Sequence, residues 1–484
     1  MFGLMLALFL SSLDQTIVAT ALTSIATDLG GWEVMPWVVS AYLISSTVTT
    51  PIYGRLSDLY GRRPVLMVSV ALFGFGAMLC ALADSILLLI AARVVQGLGG
   101  GGLRSVALAV VGDILPPRER GRYQGYLSGV FGTANVIGPV LGGLFAEYLT
   151  WRWIFWIDLP LCALAFMLSY FQLRRLPLPG KKPRIDWLGA LFILGSCTPL
   201  LLGITAVQRT GSWVSAEALA CFGLGLAALA GLVVVERTAA EPMLPLRLFR
   251  VREAAIAYGI SFVSSMMNIG LVILVPLSYQ LLAGLSANES GLRMIAMTLG
   301  SVTGSFIGGQ LVTRTGHYRF LPITGSVVAA LSCLGIAWVG LGHSMAFDTV
   351  ATLVLGLSFG CSFSPMTVCI QNALEPRDGG VGVACMLFFR LLGGAFGVAA
   401  LSGLLIGQLT SGAAALPGIE ALGENPGLKL LQASQRGTLS PELLAGMRTT
   451  LAAAFGTVFT VAGLGMALAA GLAMMLRGLP LRGR

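Results

Sequence analysis

The chain has 484 residues, 56% of them hydrophobic and only 11% charged, with a mean hydropathy of +0.86. That leaves too little polar surface to cover the two or three soluble domains expected of this length, so a water-soluble protein is excluded. The net charge of +9 sits in short groups at the ends of apolar runs and forms no continuous basic face. It points to membrane topology and contact with anionic lipid, with no nucleic acid partner.

Fourteen apolar runs of around 20 residues read as spans, at about 2–25, 33–53, 65–83, 86–112, 123–146, 153–173, 187–206, 214–235, 254–282, 291–312, 320–341, 346–370, 381–405 and 447–475. Each can cross about 30 Å of hydrocarbon at about 1.5 Å per residue, and each must be a helix because lipid offers no partner to an unpaired backbone group. The expected class is therefore an all-α membrane protein. The chain opens on the first run without a basic lead or a small-residue cleavage site. That run reads as span 1, and the missing lead suggests a start further upstream. The eight cysteines all fall inside apolar runs without C-x-x-C spacing and read as packing residues, neither disulfides nor metal ligands.

In span 1, Asp14 lies about 13 residues in, roughly 18 Å from the inner end and near the midplane. A carboxylate there costs several kcal/mol unless it meets water or a partner, which makes it a candidate proton carrier; the alternative is a structural hydrogen-bonding group. Between spans 2 and 3, Gly54-Arg-Leu-Ser-Asp-Leu-Tyr-Gly-Arg-Arg-Pro64 packs Arg55, Asp58, Arg62 and Arg63 into a hinge. Gly54 and Gly61 permit a tight reversal, Pro64 suits the start of a helix, and the arginines hold the loop on the cytoplasmic side.

Span 4 carries Arg93-Val-Val-Gln-Gly-Leu-Gly-Gly-Gly-Gly102. Arg93 is about 10 Å below the outer face, too deep to lack a partner, and Asp14 or Asp158 is the expected one. Gln96 and Arg104 are candidates for a substrate cavity, Arg104 lying three turns on from Arg93; snorkelling of Arg104 towards the cytoplasm is the alternative. The glycines spell G-x-G-x-x-G, but no strand precedes them, so close helix contact is the better reading. In span 5, Gly138, Gly142 and Gly143 clear a face for a neighbour while Pro139 removes a donor and bends the helix. Asp158, in the Trp-rich stretch 151–160, is either a second proton site or a helix-start cap before Pro160. Arg390 falls near the midplane of span 13 with no obvious acidic partner and is the third cavity candidate.

With the amino terminus inside, 21 of the 30 lysines and arginines fall on inner connections and the tail, and 6 on outer connections. Both termini are expected in the cytoplasm. The Gly54 hinge recurs weakly at Gly309-Gln-Leu-Val-Thr-Arg-Thr-Gly316, with Thr313 at the place of Asp58. The expected organisation is an amino-terminal six-helix bundle over 1–173, linkers and an inserted hairpin over 174–253, a carboxyl-terminal six-helix bundle over 254–476 with an external loop at 408–446, and a tail at 477–484.

Together these stretches resemble the motifs of the major facilitator superfamily, in their expected order. The hinge is similar to G-x-L-a-D-r-x-G-r-r at Gly54, Leu56, Asp58, Gly61, Arg62 and Arg63. Leu13-Asp-Gln-Thr-Ile-Val-Ala-Thr-Ala-Leu-Thr23 resembles the span-1 signature L-D-x-T-I-V-N-v-A-L-P of the fourteen-span drug:proton antiporters, with Ala19 for Asn and Thr23 for Pro. Arg93 to Gly97 resembles R-x-x-Q-G, and residues 134–143 resemble G-x-x-x-G-P-x-x-G-G with Ala134 for the first Gly; the family usually has Asn where this chain has Asp158.

The resemblance implies a major facilitator fold of two six-helix bundles plus two inserted helices, with proton coupling through Asp14, Arg93 and Asp158. It implies a gating network of Asp58, Arg62 and Asp113, and an antiport element at Gly138, Pro139, Gly142 and Gly143. The implied function is proton-coupled efflux of amphipathic drugs or other small organic compounds across the cytoplasmic membrane, by a monomer that needs no cofactor and catalyses no reaction. The runner-up is a dedicated exporter of one metabolite or lipid-like product. A receptor or membrane enzyme is the alternative of a different class, and no H-E-x-x-H, G-x-S-x-G or Cys/His constellation favours it.

Overall fold

The computed structural model describes residues 2–30, 34–35, 37–174, 186–210, 213–239, 242, 244–285, 287–341, 344–375, 378–413 and 441–478. Its regular elements are all helices: α1 (Phe2–Leu29), α2 (Trp37–Tyr60), α3 (Arg62–Ala81), α4 (Ile86–Ile114), α5 (Pro117–Tyr148), α6 (Trp153–Trp156), α7 (Asp158–Gln172), α8 (Trp187–Thr210), α9 (Ala216–Thr238), α10 (Arg252–Leu282), α11 (Ala287–Thr315), α12 (Phe320–Val339), α13 (Met345–Ala373), α14 (Gly379–Ala413) and α15 (Pro441–Met474). A 3-10 turn, Leu246–Arg250, precedes α10.

Among the described residues, 11 segments are long and apolar enough to cross a membrane: α3, α4, α6 with α7, and α8 to α15. Helices α1, α2 and α5, of 28, 24 and 32 residues, pack into the same assembly. Serine and threonine hydroxyls of α2 bond back one turn, as Ser45 does to the Ala41 carbonyl and Thr50 to that of Ser46. This satisfies them without water. The sixth apolar run, read from the sequence as one span over 153–173, is broken at Ile157 into α6 and α7. Pro160 has no N–H to give the Trp156 carbonyl, so the helix restarts there and places Asp158 at the first position of α7.

Helices pair in the same order twice. In the first set α1 lies against α5, α2 against α4 and α3 against α7; in the second, α10 lies against α14, α11 against α13 and α12 against α15. Across the sets α2 packs on α14 and α5 on α11, the exchange that an axis relating two parallel repeats produces. Helices α8 and α9 pair with each other, and α8 touches the seam between α2 and α14.

Glycine sets how closely these pairs approach. A Cβ on Gly97 of α4 would stand 2.6 Å from the Tyr42 carbonyl oxygen of α2, and one on Gly101 would meet the Ser46 carbonyl oxygen at 2.5 Å. Backbone therefore rests on backbone, the contact that small residues permit between membrane helices. In the second set Gly300 and Gly304 of α11 face the backbone at Leu353 and Leu357 of α13 in the same way. A single methyl group at Gly101 should destabilise the protein by about 1–3 kcal/mol through overpacking. Gly335 has open space at its Cβ position, so Gly335→Ala should be neutral or stabilise by up to about 1 kcal/mol. Unfolding midpoints of Gly101→Ala and Gly335→Ala in detergent test the contrast; equal midpoints would show that the α2–α4 approach is not limiting.

Candidate functional site

The deepest polar group in the first bundle joins four helices. Asp14 of α1, Arg93 and Gln96 of α4 and Asp158 of α7 have no solvent exposure at all. Because Gly97 lets α4 lie against α2, Arg93 Nε donates to the Val38 carbonyl at 3.0 Å. Arg93 Nη1 donates to Asp14 Oδ1 at 2.7 Å, to Asp14 Oδ2 at 2.9 Å and to Gln96 Oε1 at 2.7 Å. The guanidinium lies over the Tyr42 ring, 4.3 Å from its centroid. Gln96 Nε2 bridges the carboxyls, reaching Asp14 Oδ1 at 3.0 Å and Asp158 Oδ2 at 3.2 Å. Asp158 Oδ1 and Arg93 Nη2 have no hydrogen-bond partner among the described residues. Two carboxyl groups and one guanidinium are neutral together only when they hold one proton, so proton and charge are tied in this cluster.

The sequence reading left Asp158 as a cap or a proton site; its side chain points into the cluster, and α7 has no side-chain cap. Gln96, read from sequence as a cavity candidate, is buried and bridges the two carboxyls. Gly138 of the α5 element lies against Thr16 of α1, two residues from Asp14, and Thr16 Oγ1 donates to the Ala134 carbonyl at 3.3 Å. Gly142 is buried. The surroundings of Pro139 and Gly143 lie outside the described residues.

The hinge between α2 and α3 forms a second charged group. Gly61 has φ +92°, a conformation that favours glycine. Arg62 pairs with Asp58 and, through Nε at 2.6 Å, with Asp113 at the end of α4. Asp58 also reaches the other bundle: its carboxylate accepts the backbone N–H groups of Gly380 at 3.1 Å and Val381 at 2.8 Å, in the first turn of α14. A carboxylate at a helix N-terminus satisfies orphan donors and meets the positive end of the helix dipole. Gln371 of α13 reinforces this end by donating to the Leu108 carbonyl of α4 at 3.2 Å. Arg63 turns away and stacks on Tyr170, 4.1 Å from the ring centroid.

Arg104 and Arg390 stand apart from both groups. Arg104 is half-buried and donates to the Ser11 carbonyl of α1 at 3.2 Å, so it does not reach for the membrane surface. Arg390, also half-buried, lies 3.8 Å from the Phe363 ring centroid.

The sequence matches the profile of the Major Facilitator Superfamily over residues 4–398. The chain belongs to that superfamily. Among curated relatives, the "Multidrug transporter protein MdtP" of Bacillus subtilis is 35% identical over 405 residues, 83% of this chain and 74% of that protein. An uncharacterized MFS-type transporter of Mycobacterium tuberculosis is 34% identical over 425 residues, 86% of this chain and 62% of that protein. The chain therefore spans less than two thirds of that relative's length. Among solved structures, the proton:xylose symporter XylE aligns with a TM-score of 0.59 at 15% identity, covering 96% of this chain and 94% of that one, a likeness of fold.

Within this superfamily fold, sequence reasoning missed Tyr42 as the platform under Arg93 and Cys80, whose thiol donates to Gln96 Oε1 at 3.5 Å. It also missed the α14 amides as acceptor-bound partners of Asp58. The signal available was Gly379-Gly380 at the start of span 13: a Cβ on Gly380 would collide with the Asp58 and Arg62 side chains. Removing one member of a buried ion pair strands the other, at a cost of about 3–5 kcal/mol. Arg93→Met should show that loss in detergent unfolding, and Asp14→Asn combined with Arg93→Met should recover part of it. Strictly additive losses would mean that the two side chains do not depend on each other.

Proposed function

We propose that the chain is a proton-coupled exporter of amphipathic drugs or other small organic compounds, working by alternating access in the cytoplasmic membrane. In this reading it is a monomer with fourteen spans: bundles at 1–173 and 254–476, an inserted hairpin within 174–253, and both termini in the cytoplasm. The observation that carries the proposal is the fully buried cluster of Asp14, Arg93, Gln96 and Asp158. Its unpartnered Asp158 Oδ1 offers a place for a proton, and Gln96 can hand hydrogen bonds from one carboxyl to the other. The multidrug transporter named above, at 35% identity, supports export of organic compounds.

The hinge supplies the conformational half of the cycle. With the basic loop on the cytoplasmic side, the Asp58 bonds to α14 and the Arg62 pair with Asp113 close the cytoplasmic end. The cavity then faces outward, where cargo leaves and a proton enters the cluster. Rocking of the bundles breaks the Asp58 bonds to α14, opens the cytoplasmic end, and lets the proton leave as new cargo binds.

Flux in inverted vesicles under an imposed proton gradient tests this reading, with one cationic and one anionic fluorescent dye as cargo. Asp14→Asn, at equal expression, should abolish gradient-driven accumulation, a fall of at least about tenfold for loss of a proton-transfer group, while gradient-free dye exchange persists. Undiminished accumulation by Asp14→Asn would remove Asp14 from the coupling; accumulation that ignores the gradient in the unaltered protein would end the antiport reading.

A further inference from the structure

We infer that the cargo is an organic anion with a flat apolar body, its acid group held between Arg104 and Arg390. This rests on the reading of the chain as an exporter, whose cargo it names. One cation comes from each bundle, Arg104 from α4 and Arg390 from α14, and these helices pack together. At the hinge end each helix is tied to the opposite bundle, α14 by Asp58 of α2 on Gly380 and Val381 and α4 by Gln371 of α13 on Leu108. Arg104 lies 10 residues before the end of α4 at Ile114, and Arg390 lies 11 residues after the start of α14 at Gly379. At about 1.5 Å per residue these are depths of roughly 15 and 16 Å. The two residues thus lie at similar depths along neighbouring helices, and the charge of Arg104 acts on Arg390.

Neither has a carboxylate partner among the described residues. Arg104 gives one bond to the Ser11 carbonyl and keeps a buried Nε without a partner, and Arg390 has the Phe363 ring. The other deep arginines are paired, Arg93 with Asp14 and Arg62 with Asp58 and Asp113. Two like charges that share the space between membrane helices repel, and an anion between them satisfies both. A guanidinium is suited to that role because its planar donors match a carboxylate, sulfonate or phosphate.

The apolar part of the inference comes from the rings. Phe131 of α5 lies 6.0 Å from Arg104 and is 38% exposed, and Phe363 of α13 lies under Arg390. One aromatic face from each bundle flanks the cation pair, which suits a flat hydrophobic body beside the acid group. The site also touches the proton cluster. Arg104 holds the Ser11 carbonyl, Ser11 Oγ lies 3.3 Å from Tyr42 Oη, and the Tyr42 ring carries Arg93. Arg104 is thereby linked to Asp14 through Ser11, Tyr42 and Arg93.

Equilibrium binding of 2-naphthoate and 2-naphthylmethylammonium to the purified full chain in detergent tests the inference, since the two probes share one body and differ in charge. The unaltered protein should bind naphthoate at least about tenfold tighter, the worth of one charged hydrogen-bonding contact. Arg104→Gln and Arg390→Gln should each weaken naphthoate by about the same factor and leave the ammonium probe unchanged, while Arg104→Lys and Arg390→Lys keep part of the preference. Equal binding of the probes, preference for the cation, binding of neither, or naphthoate affinity untouched in both glutamine variants would each overturn it. The charge preference of the unaltered protein decides even where a variant fails to fold. Binding needs no gradient, so failure here leaves the proton-coupled reading standing, and failure of the Asp14→Asn flux test leaves this result standing.

Discussion

A charge between membrane helices must carry its own solvation, and the Asp14–Arg93 pair shows what that requires. Arg93 spends its donors on two carboxylate oxygens, a glutamine oxygen and the Val38 carbonyl, and rests on an aromatic face. That arrangement is possible only where α1, α2 and α4 lie unusually close, which the glycines of α4 permit. Ion pairs of this kind contribute little net stability, because desolvation offsets their attraction, and apolar residues would pack as well. The pair together with the bridged Asp158 has a use that apolar packing lacks. In the proposed exporter it would be the buried group whose charge changes when one proton arrives or leaves.

Helix α4 strings the charged groups together. Arg93 and Gln96 belong to the cluster, Arg104 bonds to α1 at Ser11 and Asp113 belongs to the hinge network, and the 20 residues from Arg93 to Asp113 span roughly 30 Å of one helix. A helix gripped on two faces, by α2 at Gly97 and Gly101 and by α3 at Gly99, moves as a rod. Tilting it shifts all three groups at once. In the proposed cycle, coupling between proton, cargo and gate would need no chain of small side-chain changes, only two resting positions of one packed body.

Much of this was legible in the sequence because lipid narrows the choices. Apolar length located most spans, and depth along span 1 singled out Asp14 and set the demand for a partner at Arg93. The partner was expected to be Asp14 or Asp158 and is Asp14; which of the two was not legible, since helical periodicity gives the face of a residue but not the neighbour opposite it. The bridging by Gln96 was hidden for that reason; only the packing of α1 and α7 on α4 shows that its amide has two carboxyls to bridge. The capping of α14 by Asp58 was hidden more deeply, because a bond to backbone amides 322 and 323 positions away leaves no side-chain pattern. The break before Asp158 was within reach: Pro160 marks it, and the apolar run on both sides concealed it.

The two seams between the bundles are built differently, and the difference follows from one residue of the repeated hinge. On the α2–α14 seam Asp58 reaches across to a helix N-terminus, so that contact is electrostatic and directional. At the matching place in the second repeat Thr313 has no charge, and its hydroxyl bonds back to the Gly309 carbonyl within α11. The α5–α11 seam is held by apolar surfaces: Gly125 lies against Phe306, Gly132 against Val302, and Tyr126 against Phe306 with ring centroids 5.9 Å apart. Apolar contacts tolerate sliding and tilting because no single geometry is required of them, whereas two short bonds to one carboxylate are either made or broken. In the proposed cycle the Asp58 contact would act as a latch on one seam and the other seam as a bearing, and the latch lies on the helix that carries Arg390.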